Sequence, residues 1–313
     1  MDKLKVEAWK RGAVTVGWGR KRVDEPIRML FGVPQKIKPI PWELDLNLIT
    51  SEYTGVVEVG RITAFQSRMR PAFPGCSIGH KDITAGTFGC TVVRNGVRFI
   101  LSNNHVLANS NNAEIGDAIL QPGPYDGGRD PEDQIATLHD FVRLRFLGED
   151  STCKFSQMEA SFLNKRNALF KKKTRLKPIA HTTIRDAAIN KVDAAIALPL
   201  QPNLIGDTII NIGSINGVAE GELDLGVRKT GRTTSLTSGN IIQTDVTVSV
   251  KYGDKTAVFE DQLMAGAMSQ GGDSGSAVVD NGNRLVGLLF AGSNSTTIIN
   301  RIQNVFNALE VSL

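Results

Sequence analysis

The segment Gly271–Ser276 contains the residue types that nucleophilic catalysis requires, because it places Ser274 among small residues just before an apolar run, Ala277–Val279. A serine hydroxyl is a weak nucleophile, so it needs a neighbouring base and N–H donors aimed at the developing charge of the carbonyl. Gly272 lets the backbone approach a substrate without a side chain in the way. The same Gly-Asp-Ser-Gly sequence also suits an ordinary turn between strands, so both interpretations stay open.

Two upstream segments supply a candidate base and a candidate acid. Phe99–Leu107 is an apolar strand that runs into His105, where an imidazole can exchange protons near neutrality. Asn190–Leu198 sets Asp193 at the head of an apolar run, where a buried carboxylate needs a partner. Taken singly, the histidine also fits a hydrogen-bonded core residue, and the aspartate a solvated strand start. The other candidates for these roles are His80, His139, His181, Asp117, Asp140 and Asp186.

The order of the three residues along the chain resembles that of the chymotrypsin-like (trypsin-like) serine peptidases, over roughly residues 75–313. The resemblance implies that His105 is the general base, that Asp193 orients it and that Ser274 is the nucleophile. It also implies hydrolysis of a protein or peptide substrate through an acyl-enzyme, without a metal or organic cofactor. Four segments are similar to a bacterial branch with distant plant relatives, the Narrow-Leaf-type peptidases: Cys76–His80, Ser102–Leu107, Gly231–Thr234 and Gly287–Ser293.

The same resemblance implies an oxyanion hole and a substrate pocket. The backbone N–H groups of Gly272 and Ser274 correspond to the oxyanion donors. Since Met268, at the implied base of the pocket, offers no anion to pair with a cation, we expect a small or apolar residue rather than Lys or Arg before the cleaved bond. The edge of the pocket falls on Phe290, Ala291 and Gly292.

The acid beside the candidate nucleophile, Asp273, has no partner that the sequence identifies. In zymogen members of the family the corresponding acid pairs with a new N-terminus made by cleavage, and this chain shows no obvious activation site. Asp273 is therefore expected to pair with an internal Lys or Arg, or to be a simple turn acid.

The strand and turn pattern predicts a mainly β fold. Asn95-Gly96 lies between two β-branched and aromatic runs, 87–93 and 97–101, which indicates a two-residue hairpin turn. Many short strands with frequent turn residues predict a sandwich or barrel, and the resemblance implies two six-stranded antiparallel β-barrels. The further strand candidates are 118–121, 134–146, 192–198, 226–230, 239–243, 246–252, 259–264, 276–279 and 285–290.

One glycine-containing segment, Gly226–Thr234, superficially suggests a phosphate loop. It lacks the Walker spacing, so a strand followed by a barrel turn explains it better.

The end of the chain changes to a helical period, with Asn300 as the expected cap. The apolar residues that predict this C-terminal amphipathic helix are Ile302, Val305, Phe306 and Leu309.

The stretch between His105 and Asp193 is longer than the family usually needs, so we expect an insertion at about residues 148–185. Within it, Lys165–Lys177 carries seven basic residues around two apolar ones, a pattern that also suits nucleic-acid binding. A solvated insertion explains the segment better, because the net charge of the whole chain is only +4.

A junction rich in proline and glycine, Arg70–Gly75, predicts a domain boundary between residues 1–74 and 75–313. The smaller N-terminal module has strand candidates at 13–19, 27–33 and 55–60 and is expected to be α/β or β-rich. Because three short strands form only a weak hydrophobic core, we expect the module to bury one face against the peptidase domain or against a neighbouring subunit. Homo-oligomerisation therefore stays open.

Composition narrows the classes of partner and compartment. The 36 basic and 32 acidic residues nearly balance, which disfavours nucleic-acid and membrane partners. Three cysteines at irregular spacing, Cys76, Cys90 and Cys153, argue against a disulfide framework and fit a reducing compartment. The first residues lack the apolar core of a signal peptide, and no apolar run is long enough to cross a bilayer. A cytoplasmic location is expected.

Three functional hypotheses follow from these patterns. The first is a serine endopeptidase that forms its acyl-enzyme on Ser274. The second is a catalytically silent binding or scaffold protein with the protease fold. The third is a dormant or self-processing protease, kept closed by the N-terminal module or the insertion. A complete triad disfavours the pure scaffold, because that role makes no demand on all three groups.

Overall fold

The computed structural model describes residues 15–19, 28–33, 54–58, 65–147, 158, 161–165 and 189–313. The chain forms two compact units, Met1–Thr63 and Ala64–Leu313. Their division lies upstream of the boundary predicted at 74/75, and Phe65 and Met69 already pack against the core of the second unit. Most of the expected insertion at 148–185, with Cys153, His181 and nearly all of the basic segment, lies outside the described residues.

The first unit contains a three-stranded sheet whose strands fall where the sequence predicts them. They are β1 (Thr15–Gly19), β2 (Arg28–Val33) and β3 (Thr54–Glu58). The sheet order is β1-β2-β3, with an antiparallel β1/β2 pair and a parallel β2/β3 pair.

The second unit begins with a seven-stranded antiparallel sheet of order β5-β4-β8-β9-β10-β7-β6. One barrel of the expected pair is thus an open sheet of seven strands rather than a closed barrel of six. The turn between β6 and β7 has positive φ at Asn95 and at Gly96, which confirms the predicted hairpin. The strands are β4 (Ser77–His80), β5 (Gly86–Thr87), β6 (Cys90–Arg94), β7 (Val97–Ser102), β8 (Ala118–Leu120), β9 (Gln134–Phe141) and β10 (Ala195–Pro199).

The remainder of the unit forms a closed six-stranded barrel of order β11-β12-β13-β16-β15-β14. Closure leaves no unpaired sheet edge, as expected for an antiparallel barrel. Two strands predicted separately, 239–243 and 246–252, are one 18-residue strand, because β12 continues through register shifts against β13. The strands are β11 (Gly226–Gly231), β12 (Ser235–Tyr252), β13 (Lys255–Gly266), β14 (Ala277–Asp280), β15 (Leu285–Gly292) and β16 (Thr296–Arg301).

Helix α1 (Asn104–Leu107) follows β7, and helix α2 (Ile302–Leu309) follows β16. Residues 161–165 are also helical, and short 3-10 helices span Asn109–Asn111, Pro124–Asp126 and Pro202–Leu204. The C-terminal helix is confirmed, but the expectation that Asn300 caps it is wrong. Asn300 is a buried residue of β16, and the N-cap position belongs to Arg301, without a side-chain capping bond. No helix in the described ranges is long and apolar enough to cross a membrane.

A shared apolar core holds the open sheet against the barrel. Leu101 and Ile196 of the sheet pack in one buried cluster with Leu288 of the barrel and Val305 of α2. Each such side chain stabilises the fold by about 1.5–3 kcal/mol when it is fully buried. The ends of β7, β10, β14 and β15 therefore meet in a fixed arrangement, and the candidate site lies there.

Candidate active site

Strand pairing brings the candidate base against the candidate acid. β7 pairs antiparallel with β10, so that Ser102 lies opposite Ala195. His105 comes shortly after the end of β7 and Asp193 shortly before the start of β10, so both lie at the same end of this strand pair. The ring Nδ1 of His105 lies 2.6 Å from Asp193 Oδ2, and the His105 backbone N–H donates to Oδ1 at 3.2 Å. An ionised carboxylate only accepts, so the shared proton belongs to Nδ1, and Nε2 is left as an acceptor.

Asp193 is fully shielded from solvent, so it is not the solvated strand-start residue that the alternative interpretation required. Its backbone is clamped on both sides. Asn103 donates its side-chain amide to the Asp193 carbonyl at 2.7 Å, and the Asp193 N–H donates to Asn300 Oδ1 at 3.0 Å. A third donor reaches the carboxylate, because the Tyr252 hydroxyl lies 2.8 Å from Oδ2. These bonds offset the cost of burying the charge.

Ser274 lies in the turn before β14, with positive φ at Gly272 and at Gly275 on either side of it. Together with His105 it lines a cavity of about 550 Å³. Within the described residues its hydroxyl donates to the Phe290 carbonyl at 3.4 Å rather than to His105. A catalytic hydrogen bond is often long or misaligned without substrate, and the shared cavity brings both groups to one surface.

The backbone N–H groups of Gly272 and Ser274 donate no hydrogen bond to any residue that the structure describes. The neighbouring amides are engaged, since Gly275 donates to Leu289 O at 2.8 Å and Ser276 donates to Asp273 O at 3.0 Å. Two unengaged amides, one of the candidate nucleophile itself and one two positions before it, can stabilise an oxyanion. A side chain at position 272 would collide with the Arg232 guanidinium, so this position requires glycine.

The partner of Asp273 is internal. Lys229 Nζ lies 3.1 Å from Asp273 Oδ2, and both side chains are fully buried. Burial lowers the pKa of Lys229, and the adjacent carboxylate acts in the opposite direction. Asp273 also accepts the backbone N–H groups of Thr233, Thr234 and Gln270 at 2.9–3.1 Å. The Ser274 turn is therefore held by an acid that needs no new N-terminus.

The turn after β11 braces the Ser274 turn from the opposite side, which confirms a strand followed by a barrel turn at Gly226–Thr234. Thr233 donates its hydroxyl to Gly271 O at 2.8 Å. Arg232 forms a bidentate pair with the buried carboxylate of Asp126, which lies between β8 and β9 of the open sheet. Arg232 Nε lies 2.6 Å from Asp126 Oδ2, and this hydrogen bond raises the pKa of Arg232. The Ser274 turn is thus tied to both halves of the unit.

The residues expected to form the substrate pocket lie in two different environments. Phe290, Ala291 and Gly292 do line the cavity, but Met268 does not. Its side chain lies in the barrel core with Ile241 and Val286, because β12 passes too close to leave space in front of it. The rest of the cavity wall is mixed. Val250 and Leu289 are apolar, and Ser269, Gln270, Ser293, Asn294 and Lys251 add polar groups and one positive charge.

The competing histidines and acids lie elsewhere. His80 is buried, and its Nε2 lies 3.0 Å from Asp117, which is also bound by Lys81 at 3.0 Å. His139 packs against the Phe99 ring, and Asp140 pairs with Arg94 at 2.8 Å. Asp186 lies outside the described residues. Within the described ranges, no group of three or more His, Cys, Asp or Glu side chains could hold a metal ion.

Sequence reasoning missed three residues that surround the triad candidates: Lys229, Tyr252 and Asn300. All three are polar residues within strands of the barrel. The signal that could have found Lys229 is a lysine at a position that alternation assigns to the inside of β11. Nothing local marks Tyr252 or Asn300, because their partner, Asp193, is distant in the sequence.

No protein-family model and no curated protein matches the chain. Among solved structures, the chain is similar to protease A of Thermobifida fusca, with 13% identity over 77% of this chain and 98% of that one and a TM-score of 0.48. It is similar to the Nocardiopsis protease NAPase, with 14% identity, 77% and 99% coverage and a TM-score of 0.48. A glutamic-acid-specific serine protease shows 16% identity, 77% and 100% coverage and a TM-score of 0.49.

The second unit consists of a closed six-stranded barrel, an open antiparallel sheet packed against it and a C-terminal helix. This mainly β architecture is the one expected from the sequence, with one of the two barrels open. The solved structures to which the chain is similar are proteases, the class that the sequence resembles.

Proposed function

We propose that the chain is a serine endopeptidase whose nucleophile is Ser274. The observation that carries the proposal is the hydrogen bond between His105 and the buried Asp193, together with the cavity that His105 and Ser274 both line. Two unengaged backbone amides, of Gly272 and Ser274, belong to the same turn as the candidate nucleophile. This is the set of groups that acyl transfer needs: a nucleophile, an oriented base and oxyanion donors. The substrate class is a protein or peptide.

In this mechanism His105 Nε2 accepts the proton of Ser274 Oγ while that oxygen bonds to the scissile carbonyl carbon. The N–H groups of Gly272 and Ser274 bind the resulting oxyanion, and Asp193 stabilises the imidazolium. The imidazolium then protonates the leaving amine as the C–N bond breaks, which leaves an acyl group on Ser274. Water attacks this ester with His105 again as the base, and the free acid departs.

The test is covalent labelling with a fluorophosphonate, located by mass spectrometry, because the reaction needs an activated serine but no knowledge of the substrate. We expect one adduct, on Ser274, that is absent from Ser274→Ala and strongly reduced in His105→Ala. Ser214→Ala is the matched control, since Ser214 is exposed and outside the cavity, and it should label normally. An adduct on another serine contradicts the assignment.

The alternative is a dormant or catalytically silent protease-fold binding protein. The observation that favours it is the bond from the Ser274 hydroxyl to Phe290 O, which directs the proton away from His105. Folded protein that takes up no fluorophosphonate supports this alternative and contradicts the endopeptidase.

A cytoplasmic location remains part of the proposal. It is supported by the unpaired, buried thiols of Cys76 and Cys90, whose pKa burial raises to about 12.

A further inference from the structure

Tyr252, at the end of β12, contacts both members of the Asp193–His105 pair. Its hydroxyl donates to Asp193 Oδ2 at 2.8 Å, and its ring lies edge-on to the His105 ring with centroids 5.6 Å apart. No local motif singles this residue out, since it belongs to the long β12/β13 hairpin of the barrel, while His105 follows β7 and Asp193 precedes β10 of the open sheet.

The contact distinguishes Tyr252 from the other neighbours of the carboxylate. The Asp193 carboxylate accepts three hydrogen bonds from described residues, and two come from His105 itself, through its backbone N–H and its ring Nδ1. Among the described residues, Tyr252 supplies the one bond to the carboxylate that is independent of His105. It shares Oδ2 with the ring nitrogen, so it competes for the same negative charge.

The hydroxyl is held in place rather than free to turn away. The Tyr252 ring packs edge-on to Phe146 with centroids 5.7 Å apart and lies 6.3 Å from the Phe259 ring. The backbone is fixed by pairing with Lys255 at the closed end of the hairpin. Burial, together with the adjacent Asp193 charge, raises the pKa of Tyr252 well above its ordinary value, so the hydroxyl keeps its proton and stays a donor.

We propose that Tyr252 is a positioning residue for the triad: its hydroxyl fixes the plane of the Asp193 carboxylate against His105 and moderates the negative charge that the carboxylate presents to the imidazole. The inference rests on the proposed function of the same site. Through this bond the β12/β13 hairpin of the barrel sets the geometry of a base and an acid that both come from the other half of the unit.

The test compares Tyr252→Phe with the wild type in the rate of fluorophosphonate labelling across pH. Tyr125→Phe is the matched control, because it removes the same atom from an exposed ring whose hydroxyl bonds no described residue. We expect the plateau rate of Tyr252→Phe to fall about tenfold, the equivalent of one hydrogen bond to a charged group. We also expect the acidic limb of the pH–rate profile of Tyr252→Phe to move to higher pH. The reason is that a carboxylate with one hydrogen-bond donor fewer stabilises the imidazolium more strongly.

A purely structural role would lower the rate without moving the limb, and an unchanged limb therefore overturns the inference. If Tyr252→Phe does not fold, 3-fluorotyrosine at all three tyrosines keeps the packing and strengthens the donor. The limb should then move to lower pH, and an unmoved limb again contradicts the proposal.

Absence of labelling in the wild type would contradict the proposed function but would leave this inference open to a direct measurement. The proton between His105 Nδ1 and Asp193 should give a downfield NMR resonance that shifts in Tyr252→Phe and not in Tyr125→Phe. An unshifted resonance in folded Tyr252→Phe overturns the inference whatever the activity.

Discussion

The surroundings of two buried aspartates, Asp193 and Asp273, differ in how the negative charge is compensated. Both side chains are fully shielded from solvent. Asp193 is bound by a tyrosine hydroxyl and by the backbone and ring of His105, whereas Asp273 is paired with the buried ammonium of Lys229. The first charge is still available to an imidazolium that forms during a reaction, and the second is already neutralised. The comparison predicts that Asp193 governs activity and that Lys229 and Asp273 govern stability.

The largest effect is expected from Asp193→Asn. An amide group does not carry the charge that stabilises the imidazolium, and its NH₂ favours the wrong histidine tautomer, so the rate of labelling at Ser274 should fall by about 10³–10⁴-fold. Asp140→Asn is the control, because Asp140 is half-exposed and pairs with Arg94 on the surface. It should label at the wild-type rate. A labelling rate of Asp193→Asn close to that of the wild type would remove Asp193 from the mechanism.

Lys229→Met is expected to act on folding. It leaves the Asp273 carboxylate buried and without its cation, which should lower the free energy of unfolding by about 3–5 kcal/mol, measured by urea denaturation. The control is Arg98→Met, which breaks an exposed pair with Asp207 and should cost less than about 1 kcal/mol.

A double variant separates the unpaired charge from lost packing at the same site. Lys229→Met combined with Asp273→Asn removes both charges, so it should recover part of the stability that Lys229→Met loses. If the double variant is no more stable than the single one, the cation does not act by compensating Asp273, and the contrast between the two aspartates fails.

A partly exposed acid, Asp117, should give the smallest effect. The Glu114 N–H, the His80 ring and Lys81 hold the pKa of Asp117 well below its ordinary value. A lowered pKa in the folded state contributes stability that is present above the ordinary pKa of aspartate and is lost as pH falls through the folded value. Asp117→Asn should therefore lose about 1 kcal/mol at neutral pH and show a weaker decline in acid.

The check is urea denaturation of the wild type and Asp117→Asn at neutral and acidic pH, with the exposed Asp82→Asn as control. Parallel stability curves for wild type and Asp117→Asn would show that Asp117 is protonated alike in the folded and unfolded chains. The folded structure would then not compensate the negative charge of Asp117, in contrast to the charges of Asp193 and Asp273.

Several elements were predictable because their signals are local. Asn95 and Gly96 adopt the positive φ angles of a hairpin turn, and the flanking strands follow. His105 and Ser274 stand in short segments whose composition already distinguishes them from other histidines and serines in the chain. The C-terminal helix follows from the spacing of Ile302, Val305 and Leu309, all of which are buried.

Long-range packing decides the surroundings of other residues. Met268, which the resemblance implies at the pocket base, lies in the barrel core with Ile241 and Val286. Asn300 has the composition of a helix cap, yet pairing of β16 with β13 and β15 turns its side chain inward to bind the Asp193 backbone and Gln262. The capping preference of Asn300 is worth about 1 kcal/mol, which is less than the burial of the surrounding apolar side chains.

The sequence by itself determined the identity and order of the candidate reactive groups, the hairpin and the final helix, because each depends on residues close together in the chain. Tertiary structure alone decided which groups surround them: Lys229 beside Asp273, Tyr252 against Asp193, and the mixture of polar and apolar side chains around the cavity. These contacts join strands far apart in sequence. Closure of one barrel and packing of the open sheet against it select them, and no local pattern carries that information.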